Sequence, residues 1–295
     1  MAQRYVAYAA HRRLHPTCVP VNTFWVEARP NFGDDMVPRL LAAQGIAAES
    51  ASPEDVELAA IGSILEMLPR SFSGYVWGSG QMMDEQMESF TGEPTFLAVR
   101  GHLTRAHLGL DEGTPVGDPG LLAGDVFGAR RQRTEGVAVV PHYHHIGSPW
   151  HRRLLAEGNG RIPARWVDVR RPPEEVVREI GRSAAVVTTS LHGLIVADAL
   201  GVPAVWGTPA PDLGGGDFKF RDHESVFGEV GSRRAPVDRT PLPQLLRVAD
   251  RVDGNRVEML KEGLTRALGT FIDAHVERRI SPLCLPLRRV LDRRG

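Results

Sequence analysis

The sequence is poor in cysteine, in lysine and in long apolar runs, and each shortage excludes something. The two cysteines among 295 residues, Cys18 and Cys284, stand near opposite ends. They form neither a disulfide framework nor a metal-ligand spacing, and a reducing cytoplasm fits them. No stretch reaches the ~18 apolar residues of a membrane span. The opening "MAQRYVAYAAHRRLHP" lacks the apolar core of a signal peptide. The net charge is only −1, so no overall field argues for nucleic acid or an anionic membrane. Lysine occurs at Lys219 and Lys261 alone, against a combined Lys and Arg count of 35. The tail "ISPLCLPLRRVLDRRG" mixes Leu with Arg, which suits a docking helix, with membrane contact at most peripheral.

What is present is an ordinary enzyme-like composition, 42% hydrophobic and 24% charged, arranged in a recurring unit. A short β-branched or aromatic run is followed by a small polar turn and then a helical pattern, as in α/β units with parallel strands. The first half offers strands at 18–26, 58–65, 74–81 and 95–99. Helices follow at 31–46, stopped by Gly45, and at 100–108, stopped by Gly109. The pattern breaks at "ARRQRTE" (129–135) and restarts with "GVAVVPHYHH". From there it runs through helices at 149–157 and 173–181, strands at 164–169 and 186–189, and a second short strand after Gly201 and Pro203. We therefore expect an α/β fold of two domains facing a cleft. The boundaries are 1–130, 131–275 and a C-terminal helix or tail at 276–295. The helices after Pro241 either close the second domain or cross back onto the first.

Ligands of open parallel sheets bind at the carboxyl ends of the strands. The residues expected at those ends are Asn31–Asp34, Gly62–Ser63, Gly78–Gly80, Arg100, His142 and Ser190–His192. In "VVTTSLHGLIVADALGVPAVW" Ser190 is a natural N-cap, and Leu191, His192 and Gly193 form the first helical turn. The free N–H groups and dipole there suit an anion, and Gly193 allows close approach. His192 is either a donor or acid toward that anion or a satisfied core histidine; spacing leaves both open. Arg100, between strand and helix, is either a bidentate anion clamp or an inter-domain salt bridge. Asn31, Asp34 and Asp35 cap a helix, and Asp34 can also hold or deprotonate a hydroxyl. Of "PHYHH", His142 lies nearest the strand end, and no third ligand completes a zinc site. Lys219, in "DFKFRDHE", stands where a compact ammonium is needed.

In order along the chain, "NFGDDMVPRLL", "AIGSIL", "VWGSGQ", "VRGHLTRAHLG", "GDPGLL", "VVPHY", "TTSLHGLIVADALGVPAV" and "FKFRDH" resemble the polysaccharide pyruvyl transferase family, in particular its bacterial exopolysaccharide branch. The resemblance covers roughly residues 31 to 223. It implies two Rossmann-like domains in the arrangement of the GT-B glycosyltransferases. It also implies transfer of pyruvate from phosphoenolpyruvate to two sugar hydroxyls, giving a cyclic ketal and phosphate. Arg100 and His192 match the family positions associated with the phosphoenolpyruvate site. Many members carry Arg just before the "LH"; this chain has Ser190, so Lys219 or Arg221 would have to supply that contact.

The expected catalytic residues are thus His192, Asp34 and His142. The donor would meet Arg100, Ser190, Leu191, His192, Gly193 and Lys219. The acceptor, a sugar or lipid-linked saccharide at the inner membrane face, would meet Asn31, Asp34, Ser63 and Ser79. No cofactor or metal is required. Two other functions are kept open. One is a glycosyltransferase with a nucleotide-sugar donor, using "GGGD" as a phosphate loop. The other is a non-catalytic anion or sugar binder.

Overall fold

The computed structural model describes residues 19–279 except 28, 133–135, 159–161 and 229. Both cysteines and the tail 280–295 lie outside the described residues. The first half contains β1 (Val19–Phe24), α1 (Phe32–Asp35), α2 (Val37–Ala43), β2 (Ile46–Ser50), β3 (Leu58–Ala59), β4 (Tyr75–Trp77), β5 (Thr95–Ala98), α3 (His102–His107) and α4 (Ala123–Val126). The second contains β6 (Val137–Val140), α5 (Pro149–Glu157), β7 (Ala164–Trp166), α6 (Pro173–Gly181), β8 (Ala185–Thr188), α7 (Leu191–Ala199), β9 (Ala204–Trp206) and α8 (Phe218–Ser225). Two further helices follow, α9 (Leu242–Val248) and α10 (Gly254–Arg279).

The strands form two sheets, ordered β2-β1-β3-β4-β5 and β7-β6-β8-β9, and every pairing within them is parallel. Strands buried on both faces read as unbroken apolar runs, and β6, Val-Ala-Val-Val, is buried throughout. The order fixes where a crevice opens. The strand order reverses between β1 and β3 in the first sheet and between β6 and β8 in the second, and ligands of such sheets lie outside the strand ends at that switch. Asn31–Asp34 follow β1, Gly62–Ser63 follow β3, His142 follows β6 and Ser190–His192 follow β8.

Between the sheets lies α7. Its sequence, Leu-His-Gly-Leu-Ile-Val-Ala-Asp-Ala, is apolar nearly all round, and Leu191 through Asp198 are buried. A helix of that kind is stable only when packed on every side. One continuous apolar cluster accordingly runs from Val21 and Leu58 of the first sheet, through Leu194 and Ile195, to Val186 and Ala204 of the second. A smaller cluster, including Val139, Leu154 and Leu245, covers the far face of the second sheet.

The helices after Pro241 divide. Leu242 and Leu245 of α9 join the second sheet's outer cluster. The long α10 crosses back: Trp77 Nε1 donates to the Leu264 carbonyl at 2.9 Å, and Phe271 packs edge-on against Tyr75 at 4.7 Å. Among the described residues no helix is long and apolar enough to cross a membrane.

Candidate active site

Helix α8 holds the two halves in register. Its Asp222 is fully buried and accepts from Arg100 Nε at 2.8 Å, from the Thr104 backbone N–H at 2.8 Å and from Thr104 Oγ1 at 2.7 Å. Ser225 Oγ accepts from the His102 N–H at 2.8 Å. Gly101 at the start of α3 has no side chain to satisfy those orphan donors, so α8 caps α3 from the other half of the molecule. A Cβ at Gly101 would lie 1.9 Å from the Asp222 carbonyl oxygen, so the close approach requires glycine. On its other side α8 is fixed by a buried network: Arg233 pairs with Asp198 and Glu224, His223 Nε2 bonds Asp198 at 2.8 Å, and Trp206 Nε1 donates to Glu224 at 2.9 Å.

Arg100 therefore takes the salt-bridge alternative. It is fully buried, and besides Asp222 it donates from Nη1 to Ser63 Oγ and from Nη2 to the Gln81 carbonyl, both at 2.6 Å. Three of its five N–H groups are thus engaged within the protein, one on each guanidinium nitrogen. Ser63 belongs to the same cluster, and Ser79 is fully buried with its hydroxyl donating to the Ala60 carbonyl. Both serines, expected at the acceptor, brace the strand ends.

The β8–α7 junction forms as its sequence predicts. Ser190 Oγ accepts from the Gly193 N–H at 3.3 Å, which leaves the N–H groups of Leu191 and His192 at the helix start. Gly193 has a different reason than ligand approach: a Cβ there would meet Thr188 Oγ1 at 2.6 Å and Val140 at 3.0 Å. Thr188 Oγ1 donates to the Val140 carbonyl at 2.9 Å, and Thr189 Oγ1 accepts from the His142 N–H at 2.9 Å. The two threonines thus stitch the end of β6 to the end of β8. His145, not singled out by sequence, is buried against Thr189 Oγ1 at 2.8 Å and the Pro211 carbonyl at 2.9 Å. A carbonyl only accepts, so Nε2 carries the proton.

His192 packs against α1 of the other half. A Cβ on Gly33 would lie 1.9 Å from His192 Nδ1, and Phe32 meets the ring edge-on at 6.5 Å. The Phe32 N–H donates to the Val169 carbonyl at 2.8 Å, which ties α1 to the second half. Asn31 caps α1, and its Nδ2 donates to Asp34 at 2.6 Å. Asp34 lies beside Gly62, whose Cβ position is 3.4 Å from Asp34 Oδ1. Asp34, Gly62 and His192 therefore meet where the two switch points face each other.

The electrostatics of this seam are unusual. Burial raises Asp34 to about 7, with Asp35 and Asp118 adding to the rise and the Asn31 hydrogen bond opposing it. Burial lowers Lys219 to about 8, with Arg100 adding to the fall. Lys219 is 6% exposed, and the contact of its ammonium is a long one to Met82 Sδ at 4.0 Å. Burial lowers His142 to about 3, with Lys219 and the neighbouring histidines assisting, so it is a neutral imidazole. His142 Nδ1 accepts from the His144 N–H at 3.3 Å, which puts the proton on Nε2. That fits a hydrogen-bond donor better than the expected acid or base. Burial also pushes His192 down, opposed chiefly by the charge of Asp118. Asp118, within "GDPGLL", is a buried group of this seam for which the sequence carries no expected role.

Two parallel α/β sheets, a capped helix N-terminus and displaced acid–base groups at facing switch points mark this seam as the candidate site. The family model of polysaccharide pyruvyl transferases matches residues 84–206, which include Arg100, Asp118, His142 and His192. The succinoglycan biosynthesis protein ExoV of Rhizobium meliloti (strain 1021) is 29% identical, across 72% of this chain and 67% of its own length. An uncharacterized protein of Acanthamoeba polyphaga mimivirus is 30% identical, across 38% of this chain and 40% of its own. Over residues 84–206 the chain resembles the polysaccharide pyruvyl transferase family, and the likeness is to transferases.

Proposed function

We propose that the protein transfers pyruvate from phosphoenolpyruvate to two hydroxyls of a saccharide acceptor, forming a cyclic ketal and releasing phosphate. The observation that carries this reading is the charge arrangement of the seam. Lys219, His192 and the free N–H groups of α7 stand on one side, and a protonatable carboxyl, Asp34, stands on the other.

The donor is a small anion bearing a phosphate and a carboxylate. Lys219 and the α7 N-terminus bind it, with the buried Arg100 charge adding its field from behind. Ser190 stands where many members carry Arg, and Lys219 supplies the missing cation. Reaction begins with a proton delivered to the methylene carbon, which makes C2 electrophilic. One sugar hydroxyl adds to C2 and loses its proton. The C2–O bond to phosphate then breaks, phosphate leaves with a proton from His192, and the second hydroxyl adds to C2, closing the ring and giving its proton to the now neutral His192. Asp34, at about 7, holds a proton to give to the methylene near neutral pH and, once ionised, takes one from a hydroxyl. His142 Nε2–H orients the acceptor. A saccharide carried on a membrane lipid suits this role, with the two sheets forming facing domains around it.

Calorimetric titration tests the donor without knowledge of the acceptor. Phosphoenolpyruvate should bind saturably, UDP and GDP should not, and Lys219→Met should weaken the phosphoenolpyruvate signal at least tenfold. A nucleotide signal without phosphoenolpyruvate binding would replace this reading with glycosyl transfer.

A further inference from the structure

The loop from β9 to α8, residues 207–217, reads "GTPAPDLGGGD" and leads straight to Lys219, the second residue of α8. Near its end it packs on the first half of the molecule. A Cβ on Gly215 would lie 1.9 Å from the Met82 carbonyl oxygen, and Gly215 takes φ +67, so bare backbone is required there. Met82 is also the residue whose Sδ stands 4.0 Å from Lys219 Nζ. Its own segment is held by Glu66, which accepts from the Met82 and Met83 N–H groups at 2.7 and 3.1 Å. Two segments from different halves thus close on one ammonium, which explains why Lys219 is buried. A phosphate arriving from solvent reaches that ammonium when one of the two segments moves.

The ends of the loop are fixed. The Gly207 N–H donates to the Thr188 carbonyl at 3.1 Å, and Asp217 pairs with Arg221 at 2.9 Å and with Arg234 at 2.8 Å. Between them, the hydrogen bonding that ties 208–214 to another element, among the described residues, comes from His145. His145 lies in the 3-10 turn Tyr143–His145 after β6 and is fully buried. Its Nε2–H donates to the Pro211 carbonyl at 2.9 Å, and its Nδ1 accepts from Thr189 Oγ1 at 2.8 Å. One nitrogen donates and the other accepts, which is the pattern of a neutral ring, and burial favours that form. Thr189 Oγ1 in turn accepts from the His142 N–H at 2.9 Å, and Thr189 precedes Ser190, the cap of α7. One imidazole therefore joins the loop to the end of β6 and to the start of α7.

We propose that residues 208–216 are a lid over the donor site and that His145 is the positioning residue that latches it. The role rests on the reading of Lys219 as the cation that meets phosphoenolpyruvate. With the latch made, water is kept from Lys219 while the donor reacts; with it broken, the donor enters and phosphate leaves.

The chain holds two lysines, so amine acetylation reads the lid directly. Lys261, on α10 and paired with Asp125 and Glu258, is the internal reference. The full chain is treated with N-hydroxysuccinimidyl acetate at about pH 8, and the rate at each lysine is followed by mass spectrometry. His145→Phe keeps a ring and removes both hydrogen bonds. The Lys219 rate relative to Lys261 should rise about five- to tenfold, the effect of one lost hydrogen bond on a local opening equilibrium. His145→Gln keeps a donor for the Pro211 carbonyl and should stay near wild type. Gly215→Ala drives the loop off Met82 without touching the core. It should raise the same ratio at least as much, with a melting temperature close to wild type. A Lys219 rate unchanged in Gly215→Ala would overturn the lid, and one unchanged in His145→Phe would overturn the latch. An equal rise in His145→Gln and His145→Phe would show that the bond to Pro211 is not what holds the loop. Phosphoenolpyruvate should slow acetylation of Lys219 and leave Lys261 unchanged. If it protects neither, the donor reading of Lys219 falls, while the variant ratios still decide the lid.

Discussion

Asp34 and Lys219 are both ionisable groups whose burial works against their charged forms, and both effects can be measured. Asp34 rises from 3.8 to about 7 on folding. Below the unfolded value the carboxyl is protonated in both states and costs nothing. As pH rises through the folded value, stability is lost, and above it the full cost is present, up to about 4 kcal/mol. Asp34→Asn should therefore melt at a higher temperature than wild type near pH 8 and at about the same temperature near pH 4. It should lose most turnover at either pH. A melting difference that does not change with pH would show that Asp34 is not buried as a carboxyl. Lys219 falls from 10.5 to about 8, so its charging costs stability throughout the neutral range. Lys219→Met should be no less stable than wild type near pH 7 yet bind phosphoenolpyruvate about ten- to a hundredfold more weakly, the loss expected for one charge-assisted contact. Residues that cost the fold something and are kept are candidates for chemistry.

At the scale of elements, α1 shows how a short helix can set a side chain of the candidate site. Gly33 puts bare backbone against the His192 ring, and its own backbone needs no glycine, since its φ is not positive. Gly33→Ala should therefore leave α1 intact, because Ala is the better helix former. It should push the imidazole aside and lower kcat at least a hundredfold with a much smaller change in melting temperature; near-normal kcat would mean the ring moves without consequence. Most elements were legible in the sequence for local reasons. The Pro-led helices 149–157 and 173–181 have the expected bounds, and Gly45 and Gly109 stop helices with positive φ as expected. The edge strand β2 was missed because "IAAES" has one β-branched residue and takes its strand form from pairing with β1. The strand expected at 58–65 shrinks to Leu58–Ala59, because Gly62 takes φ +107 and bends the chain toward Asp34.

Across the whole molecule, the meeting of distant groups was the part no local pattern could give. Periodicity placed Arg100, Ser63 and Ser79 at strand ends correctly, but not the partners that occupy them. Asp222 lies 122 residues from Arg100 and appeared as one acid in a charged run. Their contact sets both assembly and electrostatics, and a paired substitution separates the two. Removing Arg100 alone leaves Asp222 buried without its cation, so Arg100→Leu should lose about 3–5 kcal/mol of stability. Replacing both, as Arg100→Leu with Asp222→Leu, removes both charges and should recover a large part of that loss. It should not recover the site. The Arg100 charge helps hold Lys219 down, so in the folded double variant Lys219 should titrate above about 8. The alkaline limit of phosphoenolpyruvate binding should move up with it. A double variant with restored stability and an unchanged alkaline limit would reduce Arg100 to a structural brace. A raised limit would show that the same salt bridge that joins the two sheets also tunes the lysine between them.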